Sequence, residues 1–143
     1  MYCYLHRYGL ILALLFIQCV FLNTILSAQT TSAWNAPPDA ALIKNPLTDI
    51  KAGANEGKKL YTSNCVACHG AKGKGDGPAA ASLKPKPADH TSDAVQNETD
   101  GSLYWKISEG HTPMPQYKSA LTEEQRWELV SYIRTLAKST TKK

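Results

Sequence analysis

Cysteine is scarce in this chain. Of four cysteines in 143 residues, Cys3 and Cys19 fall in an N-terminal apolar segment, and Cys65 and Cys68 stand three residues apart. One close pair cannot make a disulfide framework. It also falls short of a structural zinc site, which wants two such pairs; the other candidate ligands, His90 and His111, are too widely spaced to form the second. Strand patterns are nearly absent, which removes the βαβ setting of a thioredoxin-like dithiol. Charge of one sign is lacking too. Sixteen Lys and Arg stand against 12 Asp and Glu, a formal net charge of +4, too mild for a nucleic-acid partner. There is no nucleophile–base pair, carboxylate dyad or internal repeat, and methionine occurs only as Met1 and Met114.

His6 and Arg7 precede an apolar run over residues 9–26, interrupted by Gln18, Asn23 and Thr24 and followed by Ser27 and Ala28. The pattern is that of a secretory signal peptide over residues 1–28. An uncleaved membrane anchor through residues 9–26 is the alternative, because the run approaches the length of a bilayer crossing. Either way the remainder is expected outside the cytoplasm, in the periplasm or on the periplasmic face of the inner membrane. Residues 29–52, with Pro37-Pro38 and Asn45-Pro46, read as a linker or extended arm packed along the surface. Residues 53–138 form one small domain, and 139–143 a basic tail.

Three helices are predicted. The first spans about residues 53–65 and runs into the cysteine pair. The second starts near Asp100, carries Leu103, Tyr104 and Ile107, and stops at Gly110. The third opens on a capping box of Thr122 and Gln125 with Glu123 and Glu124 behind it, and repeats Leu129, Ile133 and Leu136 at helical spacing. Between the first two lies "HGAKGKGDGPAAASLKPKPADHTSD", a long loop of the kind that wraps around something. Three such helices bury little apolar area, so a staple or cofactor is expected.

The pair sits in "CVACHG", with His69 directly after Cys68. Two thiols on one turn suit addition across two porphyrin vinyl groups, and the adjacent imidazole suits the iron. The spacing therefore predicts one covalently bound haem c, held by Cys65 and Cys68, with His69 as an axial ligand. For the sixth position Met114 is the candidate, flanked by Pro113 and Pro115, whose rings restrict the backbone. His111 is its rival and His90 a weaker one; both are expected to be solvated or hydrogen-bonded surface side chains. The glycines over residues 70–77 do not make a phosphate cradle, since Gly75 is followed by Asp76 and not by Lys-Ser/Thr. They are expected to let the backbone approach the porphyrin.

With "GKKLY" before the motif, "GDGP" after it, then "EGHTPMP" and "WELVSYIRTL", the chain resembles the single-haem class I c-type cytochromes over about residues 53–137. The resemblance implies an all-α cytochrome c fold of three to five helices around the haem. It implies that the first and last helices cross at a Gly–aromatic contact, here Gly57, Tyr61 and Tyr132. It places the axial methionine in the loop before the last helix, where Met114 stands. It also implies that the proximal histidine donates to a proline carbonyl, here that of Pro78 after Gly77, with Pro85 or Pro87 as substitutes.

A His/Met haem has no open site for substrate, so the expected function is not enzymatic. It is one-electron Fe(III)/Fe(II) exchange between redox partners, by a periplasmic carrier or by a subunit of a membrane respiratory or dehydrogenase complex. A haem enzyme or gas sensor with an open site is the remaining class. Lys58, Lys59, Lys72, Lys74, Lys84 and Lys86 surround the motif with only Asp76 against them, whereas Asp89, Asp93, Glu98, Asp100 and Glu109 face only Lys106. The lysines either steer acidic docking surfaces or form a solvated loop.

Overall fold

The computed structural model describes residues 34–137. The signal peptide or anchor and the basic tail lie outside the described residues. Within them there are six helices and no strand: α1 (Pro38–Ala41), α2 (Ile50–Asn64), α3 (Val66–His69), α4 (Asp93–Gln96), α5 (Asp100–Glu109) and α6 (Glu123–Thr135), with a 3-10 turn at Ala80–Ser82. Among these residues no helix is long and apolar enough to cross a membrane. The three predicted helices are α2, α5 and α6, and the other three are single turns.

Each long helix is started by a side-chain cap. The Asp49 carboxylate accepts from the Ala52 N–H at 2.8 Å, so α2 begins at Ile50, three residues before the predicted start. Thr99 accepts from the Ser102 N–H to open α5, and Gly110 closes that helix with its N–H on the Lys106 carbonyl. The capping box of α6 forms in both directions between Thr122 and Gln125. At the far end of α6 the Arg134 guanidinium reaches the Asp100 carboxylate at 2.7 Å and the carbonyls of Gln96 and Glu98. One cation thus ties the α4–α5 connection to the last helix.

Helices α2 and α6 cross backbone to backbone. A Cβ on Gly57 would stand 2.0 Å from the Glu128 carbonyl oxygen and 3.0 Å from Tyr132 Cβ. The Tyr61 and Tyr132 rings meet at 5.1 Å, tilted 59°, and so the expected Gly–aromatic crossing is present. Around it lies one buried cluster of Tyr61, Val95, Leu103, Ile107, Trp127, Leu129, Val130 and Ile133. Trp127 stacks on Tyr104 at 4.1 Å, and the Arg126 guanidinium lies 4.8 Å from the same ring.

Residues 34–49 pack along the domain, and the last three positions of the expected arm already belong to α2. The Asn45 amide donates to Ser131 Oγ at 3.0 Å, and the Ala40 and Ile43 carbonyls press on Gly101 so closely that a Cβ there would lie 2.1 and 2.6 Å away.

Gly57→Ala tests the crossing. Helix propensity alone would favour alanine by up to ~1 kcal/mol, but the added methyl meets a backbone carbonyl that cannot rotate away. We expect a net loss of about 1–3 kcal/mol in urea denaturation of the haem-loaded protein.

Candidate haem-binding site

The end of α2 builds one side of the site. Cys65 caps α2 and opens α3, its carbonyl accepting from the Cys68 and His69 N–H groups at 3.2 and 2.8 Å. One turn thereby presents both thiols and the imidazole to the same cleft. Both cysteines are free and half-buried. Burial, and then the neighbouring Cys68, push the Cys65 thiol up to about 12. Such a thiol is protonated and inert in redox exchange, which needs a lowered value.

His69 is oriented through Nδ1, which lies 3.0 Å from the Ala88 carbonyl. A carbonyl only accepts, so Nδ1 carries the proton and Nε2 keeps its lone pair for a metal. Burial lowers the pKa of His69, with the Ala88 bond opposing, and keeps the imidazole neutral. The partner is therefore Ala88 and not Pro78, Pro85 or Pro87. Residues 77–79 are engaged elsewhere: the Gly77 N–H goes to the Cys68 carbonyl at 3.1 Å and the Ala79 N–H to the Ala67 carbonyl at 2.9 Å. They satisfy the last carbonyls of α3, and Pro78 between them is exposed.

The glycine loop serves that same bond. Gly75 has φ 69°, and a Cβ there would stand 2.3 Å from the Pro87 carbonyl oxygen. The close approach expected toward a porphyrin is instead one of backbone to backbone, and it brings Ala88 to His69.

The opposite side is the loop after α5. Met114 and His111 exchange backbone hydrogen bonds, 3.0 Å from the His111 N–H to the Met114 carbonyl and 2.8 Å in return. The Tyr117 hydroxyl donates to the Asn64 carbonyl at 3.0 Å, tying this loop to the last turn of α2. Cys65, Cys68, His69 and Met114 all line one cleft of about 1020 Å³, open solvent included. The donor set fits a haem: two thiols, one neutral imidazole, and a thioether across the cleft.

The rival histidines also line the cleft. His111 is exposed, its ring stacked on Trp34 at 5.3 Å and 29°. His90 is not the surface residue that was expected. Its ring stacks on His69 at 4.1 Å and 18°, and the Tyr61 hydroxyl lies 3.1 Å from its Nδ1. Burial, and then the adjacent His69, lower His90 to about 3, with Asp89 opposing. Ring against ring with His69, it cannot be the ligand facing His69. Sequence reasoning missed Ala88 and Trp34 and put His90 at the surface; only a tryptophan in a proline-rich arm hinted at the second.

The sequence model of the cytochrome c family matches residues 54–137. Among solved structures, a chain of the Kuenenia stuttgartiensis reducing HAO-like protein complex is 29% identical with a TM-score of 0.56. That match covers 65% of this chain and 50% of the other, so this chain spans half the length of that relative. The KustC0563 c-type cytochrome is 28% identical with a TM-score of 0.51, over 57% of this chain and 98% of its own. No curated protein matches. The cofactor is accordingly haem c, bound covalently, and Cys65 and Cys68 are the pair available to hold it.

Replacing Cys65 and Cys68 together with alanine should leave no covalent haem. Mass spectrometry of the purified chain would then show the polypeptide mass alone, and any haem would extract into acidified organic solvent.

Proposed function

The chain belongs to the cytochrome c family, and on that premise we propose that it is a one-electron carrier outside the cytoplasm, with His69 and Met114 as the axial ligands. The supporting observation is the convergence of Cys65, Cys68, His69 and Met114 on one cleft. Haem, when bound, supplies reversible Fe(III)/Fe(II) exchange.

The protein's own residues set the conditions for that exchange. The Ala88 carbonyl fixes the His69 tautomer and ring orientation and raises the basicity of the free nitrogen. The reciprocal bonds between His111 and Met114 hold the thioether's backbone. Leu83, Val95, Leu103 and Ile107 line the cleft, and such a wall excludes water and limits reorganisation when charge changes. Among the described residues no acid–base or nucleophilic pair accompanies the site, which favours electron transfer over an enzyme with an open sixth position.

Partner contact is proposed at the mouth of the cleft. Lys86 lines it, and Lys84 is exposed beside it. Lys106 also lines it but is paired with Glu98 at 2.6 Å. Unpaired lysines at the mouth suit a redox partner with an acidic docking surface. A second reading is a subunit docked in a membrane or dehydrogenase complex, favoured by the similarity to a chain of an HAO-like complex. Export to the periplasm, or to the periplasmic face of the inner membrane, rests on the apolar run over residues 9–26.

Met114→Ala should abolish the weak near-infrared sulfur-to-ferric-iron band and lower the midpoint potential. It should also admit carbon monoxide to a ferrous protein that excludes it in the wild type; an unaltered spectrum would remove Met114 from the iron. For docking, stopped-flow electron transfer with an acidic partner should slow as ionic strength rises, and a rate indifferent to salt would sink the steering role of the lysines.

A further inference from the structure

Two potential ligands compete for one position. His111 and Met114 are three residues apart, joined by two backbone hydrogen bonds, and both line the cleft. Imidazole binds haem iron well, and exchanging thioether for imidazole would lower the potential. Something must therefore bias the choice toward sulfur.

The ring stacked on His111 is that of Trp34, which precedes the family match at residues 54–137 by twenty positions. Trp34 is itself held on α5. Its ring lies 6.4 Å from Trp105 and 5.5 Å from Lys106 Nζ, and the Glu98 pairing anchors that lysine. Behind Trp34 the arm is pinned by the contacts of Ala40 and Ile43 on Gly101 and by Asn45 on Ser131. The tryptophan is thus a fixed plate, and the His111 imidazole lies against it at the rim of the cleft.

We propose that Trp34 is a ligand-selecting residue: by stacking on His111 it keeps that imidazole off the haem iron and leaves the position to Met114. This rests on the reading of Met114 as axial ligand. Trp34 acts through His111 and is a positioning residue. An aromatic stack of this kind biases a competition by roughly threefold to tenfold.

The test uses the full chain with haem attached. Mild urea weakens the distal loop, and the concentration at which the near-infrared sulfur band gives way to a low-spin bis-imidazole spectrum reads the Met114-to-His111 exchange. Trp34→Ala should move that midpoint to lower urea, consistent with a threefold to tenfold shift in the exchange constant. Trp34→Phe should restore most of it. In a His111→Gln background the bis-imidazole product should not form, and Trp34→Ala should then leave the loss of the sulfur band where His111→Gln alone puts it.

Trp34→Leu, which keeps apolar bulk but no ring face, takes the place of the alanine variant if the latter fails to mature. A midpoint unmoved by loss of the ring overturns the proposal. So does one lowered equally with His111 present or absent, since Trp34 would then only support the loop. If Met114→Ala retains the sulfur band, the ligand assignment itself falls, and that outcome is distinct from the other two.

Discussion

The Glu128 carbonyl occupies the space a side chain on Gly57 would need, so α2 and α6 approach until their backbones touch. That approach sets the position of Tyr61, one turn further along α2 and 1% exposed. Tyr61 reaches out of the core toward the site, its hydroxyl 3.4 Å from the Gly70 carbonyl and 3.1 Å from His90 Nδ1. The next residue to bond back to Tyr61 is Cys65, whose N–H lies 2.9 Å from the Tyr61 carbonyl. Helix crossing, core tyrosine, cysteine turn and proximal histidine therefore form one chain of contacts, and a shift at Gly57 would propagate to the thiols.

Local features of this arrangement were legible in the sequence because the chemistry that makes them is local. Two thiols and an imidazole within five residues share a turn whatever the rest of the chain does. Thr122 and Gln125 carry their own capping partners, and Gly110 stops α5 where it stands. The Ala88 contact was not legible, because a backbone carbonyl has no side-chain signature. Which carbonyl reaches His69 depends on the path of a loop closed by Gly75 against Pro87. Pro78 was the plausible candidate by resemblance, yet its neighbours' N–H groups are drawn to the carbonyls of α3. His90 was misjudged for a related reason: its burial comes from stacking on His69 and from Gln96, whose amide donates to the His90 carbonyl. None of these contacts has a sequence period.

The cleft is kept electrically quiet. His69 and His90 are both held neutral by burial, and Lys106 is cancelled by Glu98 at short range. Lys86 lines the cleft and exposed Lys84 stands beside it, neither of them in an ion pair. In the proposed carrier, such an interior would set the potential and such lysines would meet the partner.

The described core is a thin one, eight buried side chains beside the cleft, so a bound cofactor would contribute to holding the fold as well as to electron exchange. Covalent attachment through Cys65 and Cys68 means that retention does not depend on the axial ligands. Under the ligation proposed above, the bond to Met114 would then be free to be weak, and weak thioether ligation is compatible with a high potential. A weak bond is also one that a neighbouring imidazole can contest. With His111 three residues away, the outcome falls to interactions of about 1 kcal/mol. This is the scale of one tryptophan lying against one histidine at the rim.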